Sequence, residues 1–223
     1  MKNQNFNKGL TLTALGSFWW GVIGVIYFKY ISFAGPIEVV IHRCMWTSAV
    51  LIITTFYFSK WKIFFEIISN KKKLILLFFS GMLIFINWAT WIYAVGSEKI
   101  IDASFGYFIM PILSVFLGYI FYNEKINIKR CISIILVLIS ILFLLFINFD
   151  SIPWVGIIVA LSWGFYNLLR KKINVDTDVG LLVESLFILP FALIAFYLIF
   201  QKGLNDFSFS NPSLMFLLLR QNH

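Results

Sequence analysis

Seven long apolar runs constrain the fold of this chain more than any other feature of its sequence. They cover about residues 9–31, 37–58, 74–97, 100–122, 130–147, 153–170 and 180–200. A helix needs roughly 20 apolar residues to cross the hydrocarbon core of a bilayer. Of the 223 residues, 61% are hydrophobic and 13% are charged, whereas soluble domains contain about 25% charged residues. The sequence therefore predicts an all-α, polytopic helical membrane protein with short polar connections.

The basic residues between these runs and at their ends lie mainly on one side of the predicted membrane. Cytoplasmic loops of membrane proteins carry an excess of Lys and Arg. Thirteen basic residues fall on the side of the N-terminus: Lys2, Lys8, Lys60, Lys62, Lys71, Lys72, Lys73, Lys125, Lys129, Arg130, Arg170, Lys171 and Lys172. Three fall on the other side: Lys29, Lys99 and Lys202. We therefore predict a cytoplasmic N-terminus and cytoplasmic loops at 59–73, 123–130 and 170–179. The net charge is +8. In a membrane protein the placement of the basic residues is more informative than their total, so this charge does not indicate a nucleic-acid partner.

Two short segments resemble each other and indicate an internal repeat. The first run contains A-L-G-S-F-W-W-G from Ala14 to Gly21, and the sixth contains A-L-S-W-G from Ala160 to Gly164. Glu38 and Glu184 follow at matching places in the second and seventh runs. Because the two copies lie five runs apart, an odd number, the second copy is predicted to cross the membrane upside down, as in many secondary transporters.

The repeat predicts two units of unequal completeness. Residues 1–148 form the first five-helix unit, and residues 149–223 form a second unit of two full helices and a partial third. The partial helix begins near Ser213 and meets Arg220 long before the roughly 20 apolar residues that a crossing requires. We therefore expect an inverted five-plus-five bundle whose second repeat is truncated, which leaves open either an active secondary transporter or a truncated, inactive form of one.

The stretch from Asn87 to Glu124 consists of two apolar helices joined by a short polar loop. Small or kinking residues are predicted to share one face of the second helix, and they are Ser104, Pro111, Ser114 and Gly118. Small residues let helices approach closely in lipid, and a proline inside a span frees a backbone carbonyl and favours a bend. Gly106, Pro111 and Gly118 are candidates for structural or gating roles. The pair is interpreted either as packing helices or as the lining of a path through the membrane.

The second run carries ionisable residues, which are costly inside a membrane and usually face a cavity or a partner. Glu38, His42 and Trp46 are spaced to share a helix face, and Arg43 lies one position further round. Arg43 is expected either to pair with Glu38, Glu184 or carbonyls near Pro111, or to contact an anionic or zwitterionic substrate. His42 is expected to be a neutral, hydrogen-bonded cavity residue, or a proton-coupling group because its ordinary pKa is near 6.5.

Aromatic residues with a polar tip cluster near the glycine motifs. Lining of a substrate cavity and ordinary packing or interface roles both remain open for them. With the polar residues of the spans, the candidate substrate-binding residues are Trp20, His42, Arg43, Trp46, Asn87, Trp91, Tyr107, Trp163, Tyr166 and Glu184. Glu38 and Glu124 are candidates for structural or gating roles, and Glu124 is expected to pair with Lys125 or Arg130.

Four segments of the chain resemble a known family. They are N-W…A-V…D-A-S-F-G-Y-F-I-x-P-I-L-S-V-F-L-G…E-K (87–125), I-H-R-C-M-W-T-S (41–48), I-P-W-V-G-I-I-V-A-L-S-W-G-F-Y-N-L-L-R-K (152–171) and G-L-L-V-E-S-L-F-I-L-P (180–190). Over nearly all of residues 9–200 the chain resembles the RarD-type permeases of the EamA branch of the drug/metabolite transporter superfamily. The resemblance implies ten spans, a secondary-transport function, a small metabolite or a drug such as chloramphenicol as solute, and a gating or folding role for the loop at Glu124.

Enzymatic motifs do not occur in the sequence. It contains no Gly-x-x-x-x-Gly-Lys-Ser/Thr, no His-Glu-x-x-His and no Gly-x-Ser-x-Gly segment, and its two histidines and two cysteines are far apart. We therefore expect no enzyme, no cofactor, no metal and no disulfide. The expected partners are membrane lipid and a small solute, in the inner membrane of a bacterium. A non-transporting membrane scaffold or assembly factor remains the alternative.

Overall fold

The computed structural model describes residues 2–148, 152–203 and 206, although the side chains of residues 2–5 and 148 are outside the description. The described residues form helices and short connections, without a β-strand among them. The α-helices are α1 (Lys2–Phe18), α2 (Val25–Tyr30), α3 (Pro36–Tyr57), α4 (Trp61–Ser69), α5 (Lys71–Gly96), α6 (Ile100–Tyr122), α7 (Ile128–Asn148), α8 (Trp154–Ile173) and α9 (Thr177–Gln201). The all-α prediction is confirmed. The partial helix expected from Ser213 lies outside the described residues.

Six helical segments in the described part of the chain are long and apolar enough to cross a membrane. They cover residues 6–33, 36–57, 71–96, 100–122, 128–147 and 177–201. The remaining predicted span, 153–170, forms α8 but is less apolar, because it contains Ser162, Asn167 and the basic residues at its end. Its position explains the difference, since α8 packs between α5 and α6 and therefore presents much of its surface to protein.

Local sequence signals account for several helix ends. Pro36 begins α3, where its missing N–H costs no helical hydrogen bond. Asn70 caps α5 by accepting a hydrogen bond from the Lys73 N–H, and Asp176 caps α9 by accepting one from the Val179 N–H at 3.2 Å. Asn123 and Asn174 end α6 and α8 in the left-handed conformation that asparagine tolerates.

Two details differ from the helices that the sequence predicts. The first span is not a uniform α-helix, because a π-helical segment, Trp19–Gly24, separates α1 from α2 and a 3₁₀ turn, Ile31–Phe33, follows α2. The predicted cytoplasmic loop 59–73 contains the additional short helix α4. Its Ile67 is buried against Leu77 and Val183 in a small apolar cluster, which gives this segment a packing surface that its many lysines obscure in the sequence.

The helices pack through pairs that join the two predicted units. α8 packs most extensively on α6 and α5, and α3 packs along α9. The helices α6 and α8 approach each other closely at Gly106 and Gly156, because a Cβ on either glycine would overlap the backbone of the opposite helix. The Gly156 N–H also donates a hydrogen bond of 2.8 Å to Asp102. This polar contact and the two glycines fix the α6–α8 interface.

The predicted small-residue face of α6 is not its packing face. Pro111 and Ser114 are exposed, whereas Gly106, Leu113 and Leu117 contact α8. Gly118 alone of the predicted set is buried with a defined contact, against the Glu124 carboxylate. A spacing of three, four and seven residues defines a helix face, but only the partner helix decides which face is used.

Large apolar side chains cover the outside of the bundle. Phe146 is 86% exposed, Tyr57 is 78% exposed and Phe56 is 74% exposed. An apolar 18-residue stretch within residues 6–33 is 0% buried, and one within residues 128–147 is 6% buried. Such surfaces are unfavourable in water and suit contact with lipid tails.

Candidate functional site

An aromatic box surrounds Arg43, which lies in the N-terminal half of α3. We define the box as Trp20, Phe28, Trp88, Trp91 and Tyr107, contributed by the π-helix, α2, α5 and α6. The guanidinium carbon Cζ of Arg43 lies 4.3 Å from the ring centroid of Trp88, 5.3 Å from that of Trp20 and 5.3 Å from that of Phe28. Cation–π contacts of this kind stabilise a desolvated cation without an anion.

Two hydrogen-bond donors of this region are buried without an acceptor among the described residues. They are Arg43 Nη1 and Trp91 Nε1. The Trp91 ring lies 6.2 Å from that of Trp20 and 5.6 Å, edge to face, from that of Tyr107. The structure therefore brings together four of the predicted site residues, Trp20, Arg43, Trp91 and Tyr107.

The expected acidic partners of Arg43 are engaged elsewhere. Glu184 Oε1 lies 3.4 Å from Arg170 Nη1, and Glu38 Oε1 lies 3.7 Å from His42 Nε2. Glu38 also accepts a hydrogen bond of 2.8 Å from the Asp206 N–H. Arg43 forms no ion pair with any residue that the structure describes, so the predicted pairing with Glu38 or Glu184 is wrong there.

The predicted common face of Glu38, His42 and Trp46 is only partly present. Glu38 and His42 contact each other, and the His42 ring packs edge to face on Phe196 of α9 at 5.4 Å. Trp46 is 69% exposed and Arg43 contacts other rings. Eight residues turn a helix by about 80° more than two full turns, which carries Trp46 away from the face of Glu38.

Glu184 is the centre of a second, buried polar cluster. Its carboxylate is fully buried and accepts hydrogen bonds from the Ser80 hydroxyl and, at 3.3 Å, from the Tyr166 hydroxyl. Arg170, which also donates to the Thr177 carbonyl at 3.0 Å, supplies the opposite charge. This cluster joins α5, α8 and α9, and Trp163 lies beside it with its ring 5.4 Å from that of Tyr166.

Asn87 connects α5 to α8 by hydrogen bonds and does not reach the box. Its amide donates to the Val159 carbonyl and to the Ser162 hydroxyl, each at 3.1 Å. Buried amides that bond across helices stabilise helix pairs in membranes. Asn87 therefore has a demonstrated packing role in this structure.

Ion pairs connect helix ends at one end of the bundle. We call it the lysine-rich end, and it carries Lys60, Glu124 and Lys171. Lys60, after α3, lies 3.0 Å from both Asp176 and Asp178 at the start of α9. Hydrogen bonds to these two carboxylates raise the pKa of Lys60. Burial raises the pKa of Asp176, but hydrogen bonds from Lys60 and from the Val179 N–H outweigh it and leave that pKa below its ordinary value.

Glu124 holds the ends of three helices together at the same side of the bundle. It pairs with Lys171 of α8 at 2.5 Å and with Arg130 of α7 at 3.8 Å, while its carboxylate lies against Gly118 of α6. The hydrogen bond from Lys171 lowers the pKa of Glu124. The expected pairing with Arg130 is confirmed, and Lys171 is an additional partner.

A separate cleft of about 580 Å³ lies between α3, α5 and α9. It runs from Pro36 and Tyr93 to Cys44 and Phe78, and none of its lining side chains is charged. The cleft offers almost no polar group to a solute, whereas the box contains the hydrogen-bond donors of Arg43 and Trp91. We therefore place the candidate site at the box.

Sequence reasoning missed several residues that build these clusters. Phe28 and Ser80 gave no signal apart from their position in apolar runs, and Trp88 was noticed only as part of the Asn87-Trp88 segment and not as a contact of Arg43. Arg170 was counted among the loop charges, yet its side chain is only 13% exposed. A periodicity signal was present, because Arg170 follows Tyr166 by four residues on α8 and so shares its face.

A bundle of apolar helices, with lipid-type outer surfaces and polar clusters enclosed between the helices, defines a polytopic α-helical membrane protein. The chain belongs to the EamA-like transporter family, whose profile matches residues 7–146. The match covers α1 to α7 apart from the first residues of α1 and the last residues of α7, and thus includes Arg43 and every residue of the box.

Individual relatives agree with this assignment. An uncharacterized transporter of Vibrio cholerae is 33% identical over 216 residues, which cover 97% of this chain and 71% of the relative. Protein RarD of Escherichia coli K12 is 32% identical over 219 residues, 98% of this chain and 73% of RarD. The chloramphenicol-sensitive protein RarD of Pseudomonas aeruginosa is 26% identical over 165 residues, 72% of this chain and 55% of that relative. No solved structure matches the chain significantly.

Proposed function

We propose that this protein is a secondary transporter of a small organic solute, and that the solute binds at the aromatic box. The observation that carries the proposal is Arg43, a cation inside a membrane span whose Nη1 has no hydrogen-bond acceptor among the described residues. Charged groups at such depth are costly and usually belong to a substrate or ion pathway. The family of transporters to which the chain belongs supports the same function.

We further propose that transport proceeds by alternating access between two inverted units, the first formed by residues 1–148. The packing of α3 on α9 supports this, because these are the second helices of the two units. The polar contacts of Asn87 with α8 and of Glu184 with α5 also lie between the units. Rocking of one unit against the other about such an interface would open the box alternately to the two sides.

The other candidate residues have supporting roles in this proposal. His42, Trp163, Tyr166 and Glu184 position the helices around the solute path, and Trp46 faces lipid. Gly106 fixes the α6–α8 interface, Gly118 and Glu124 hold the helix ends that must move, and Pro111 and Glu38 shape α6 and α3. The bacterial inner membrane with a cytoplasmic N-terminus is the proposed setting. Since one relative is named for chloramphenicol sensitivity, the solutes to test include that drug as well as cellular metabolites.

The test compares solute fluxes in cells that produce the wild-type protein, Arg43→Ala or Lys72→Ala. An untargeted measurement of intracellular and exported metabolites, with chloramphenicol uptake measured alongside, should show at least one solute whose flux depends on the protein. We expect Arg43→Ala to abolish this flux. Lys72 is exposed at the start of α5, so Lys72→Ala should leave it unchanged.

Membrane abundance decides how the result is read. Each variant is quantified in isolated membranes, and fluxes are compared per inserted protein. Normal flux through fully inserted Arg43→Ala would reject the box as the site. Absence of any protein-dependent flux, also from purified wild-type protein in liposomes, would reject the transport function.

A further inference from the structure

The chemistry of the aromatic box indicates which class of solute it can bind. The guanidinium of Arg43 is covered by the rings of Trp20, Phe28 and Trp88, with Cζ 4.3–5.3 Å from their centroids. Ring faces stabilise the positive charge but do not replace the oxygen acceptors that an arginine uses in the plane of its fork. The hydrogen-bonding capacity of Nη1 is therefore unmet by the described residues.

A second donor points to the same kind of ligand. Trp91 Nε1 is also buried without an acceptor in the described part of the chain, and the Trp91 ring contacts both Trp20 and Tyr107 of the box. A buried indole N–H normally finds an acceptor. Two unmet donors, one of them cationic, match a carboxylate, whose two oxygens accept several hydrogen bonds and carry the opposite charge.

The wall of the box that Trp20 provides is built differently from the others. Trp20 belongs to the π-helical segment Trp19–Gly24, and it is 37% exposed whereas Trp88 and Trp91 are 8% and 5% exposed. π-Helical turns occur frequently at functional sites. A ligand can therefore reach Arg43 from the Trp20 side of the box. On this route it would pass between the Trp20 ring and the guanidinium.

We propose that the aromatic box binds an organic monocarboxylate with an apolar, preferably aromatic, body. Its carboxylate accepts hydrogen bonds from Arg43 and Trp91 Nε1, and its body lies against the rings of Trp20 and Tyr107. An aromatic cage alone would also suit an ammonium ion, but the box already contains the guanidinium, which repels a second cation. This assignment rests on the proposed function, because it names the solute of the proposed site.

Binding of radiolabelled benzoate to the purified full chain in nanodiscs tests the assignment. Benzoate is expected to bind saturably, and unlabelled benzoate should displace it. Benzamide and benzylamine have nearly the same shape but carry no charge or a positive charge, so they should compete at least about tenfold less well, as expected when a charge-assisted hydrogen bond is lost. Equal competition by all three compounds would overturn the proposal, as would the absence of saturable benzoate binding.

Variants assign the binding to the two donors. Arg43→Gln should abolish benzoate binding, Arg43→Lys should weaken it, and Trp91→Phe should weaken it while the ring packing is retained. Lys72→Ala is the matched control and should bind benzoate as the wild type does. If Arg43→Gln does not insert, Trp91→Phe and the three-compound series in the wild type still decide the matter. Unchanged benzoate affinity in inserted Arg43→Gln contradicts the proposal.

The two proposals fail in distinguishable ways. Benzoate binding that depends on Arg43, combined with the absence of any flux in liposomes, would leave the carboxylate site and remove the transport function. Protein-dependent flux of other solutes, with the three compounds competing equally, would leave the transport function and remove the carboxylate site.

Discussion

Glu184 is the single residue whose loss is expected to destabilise this protein most. It is fully buried, and its removal would leave Arg170, which is 13% exposed, without its counter-charge. Breaking a buried ion pair from one side typically costs about 3–5 kcal/mol. We therefore predict that Glu184→Gln lowers the thermal stability of the purified protein strongly, as measured by the loss of the monodisperse peak after heating in detergent.

Two further variants distinguish the effect of losing the ion pair from an unspecific effect of any substitution. Glu66→Gln changes an exposed carboxylate of α4 and should have little effect. Glu184→Gln combined with Arg170→Met should be less destabilising than the sum of the single changes, because the double variant buries no unpaired charge. Strict additivity would show that Glu184 and Arg170 do not stabilise each other.

Single residues also show what the sequence can and cannot reveal about the candidate site. An arginine inside an apolar run is visible in any sequence, and the structure places Arg43 among aromatic residues of the predicted set. Its partners were predicted wrongly, because the choice between Glu184, Glu38 and ring faces depends on how α3, α5 and α9 are placed relative to each other. Arg170 shows the opposite error, since a charge at a span boundary can turn inward as well as outward.

At the scale of helices, the α6–α8 interface depends on the absence of side chains at Gly106 and Gly156. A Cβ at Gly106 would overlap the Gly156 carbonyl, so the helices would have to separate. Overpacking of this kind costs about 1–3 kcal/mol. We predict that Gly106→Ala lowers the thermal stability of the purified protein.

Gly21 provides the matched control for this prediction. It also lies in a helical segment, but a Cβ there meets no atom within 4 Å. Gly21→Ala should therefore keep the wild-type melting behaviour. Equal stability of Gly106→Ala and wild type would mean that α6 and α8 do not approach each other through these glycines.

The helices themselves were the most predictable part of the structure. Their existence follows from the length of apolar sequence, and the observed ends lie within a few residues of the expected ones except at the start of α1, which begins seven residues earlier than expected. α4 was missed because it has only nine residues and is flanked by Lys60 and by Lys71, Lys72 and Lys73, which made the whole segment resemble a basic loop. The packing face of α6 was missed because small residues occur on two of its faces, and only the position of Gly156 selects one.

At the scale of the whole molecule, the contact of Lys60 with Asp176 and Asp178 joins the two proposed units at the lysine-rich end. The pKa of Asp176 lies below its ordinary 3.8, so its stabilising contribution is complete above that value and is lost as the pH falls through the lower folded-state pKa. The pKa of Lys60 lies above its ordinary 10.5, so its contribution is complete below 10.5 and is lost as the pH rises through the folded-state pKa.

We therefore predict that this contact is insensitive to pH across the neutral range. The difference in thermal stability between wild type and Asp176→Asn should be constant from about pH 5 to pH 9 and should shrink below about pH 4. Lys60→Gln, which removes the other partner, should give the same profile at low pH. A difference that changes between pH 6 and pH 8 would assign the contact to another titrating group.

The orientation of the whole bundle is the property on which the proposed direction of access depends. The excess of basic residues predicts that the end carrying Lys60, Glu124 and Lys171 is cytoplasmic. The structure brings these residues into ion pairs at one end, while Lys29 pairs with Glu98 in the loop region between α5 and α6. Burial of Arg170 removes one charge from the basic loops and leaves a large excess.

Impermeant thiol labelling of intact cells measures this orientation. Cys44 is buried and Cys131 is exposed, so both are first replaced, by Ala and Ser. Ser69→Cys at the end of α4 should then resist labelling until the cells are permeabilised. Glu98→Cys, whose native side chain is 82% exposed, should react from outside. The reverse pattern would place the lysine-rich end outside the cell and would invert the direction in which Arg43 is reached.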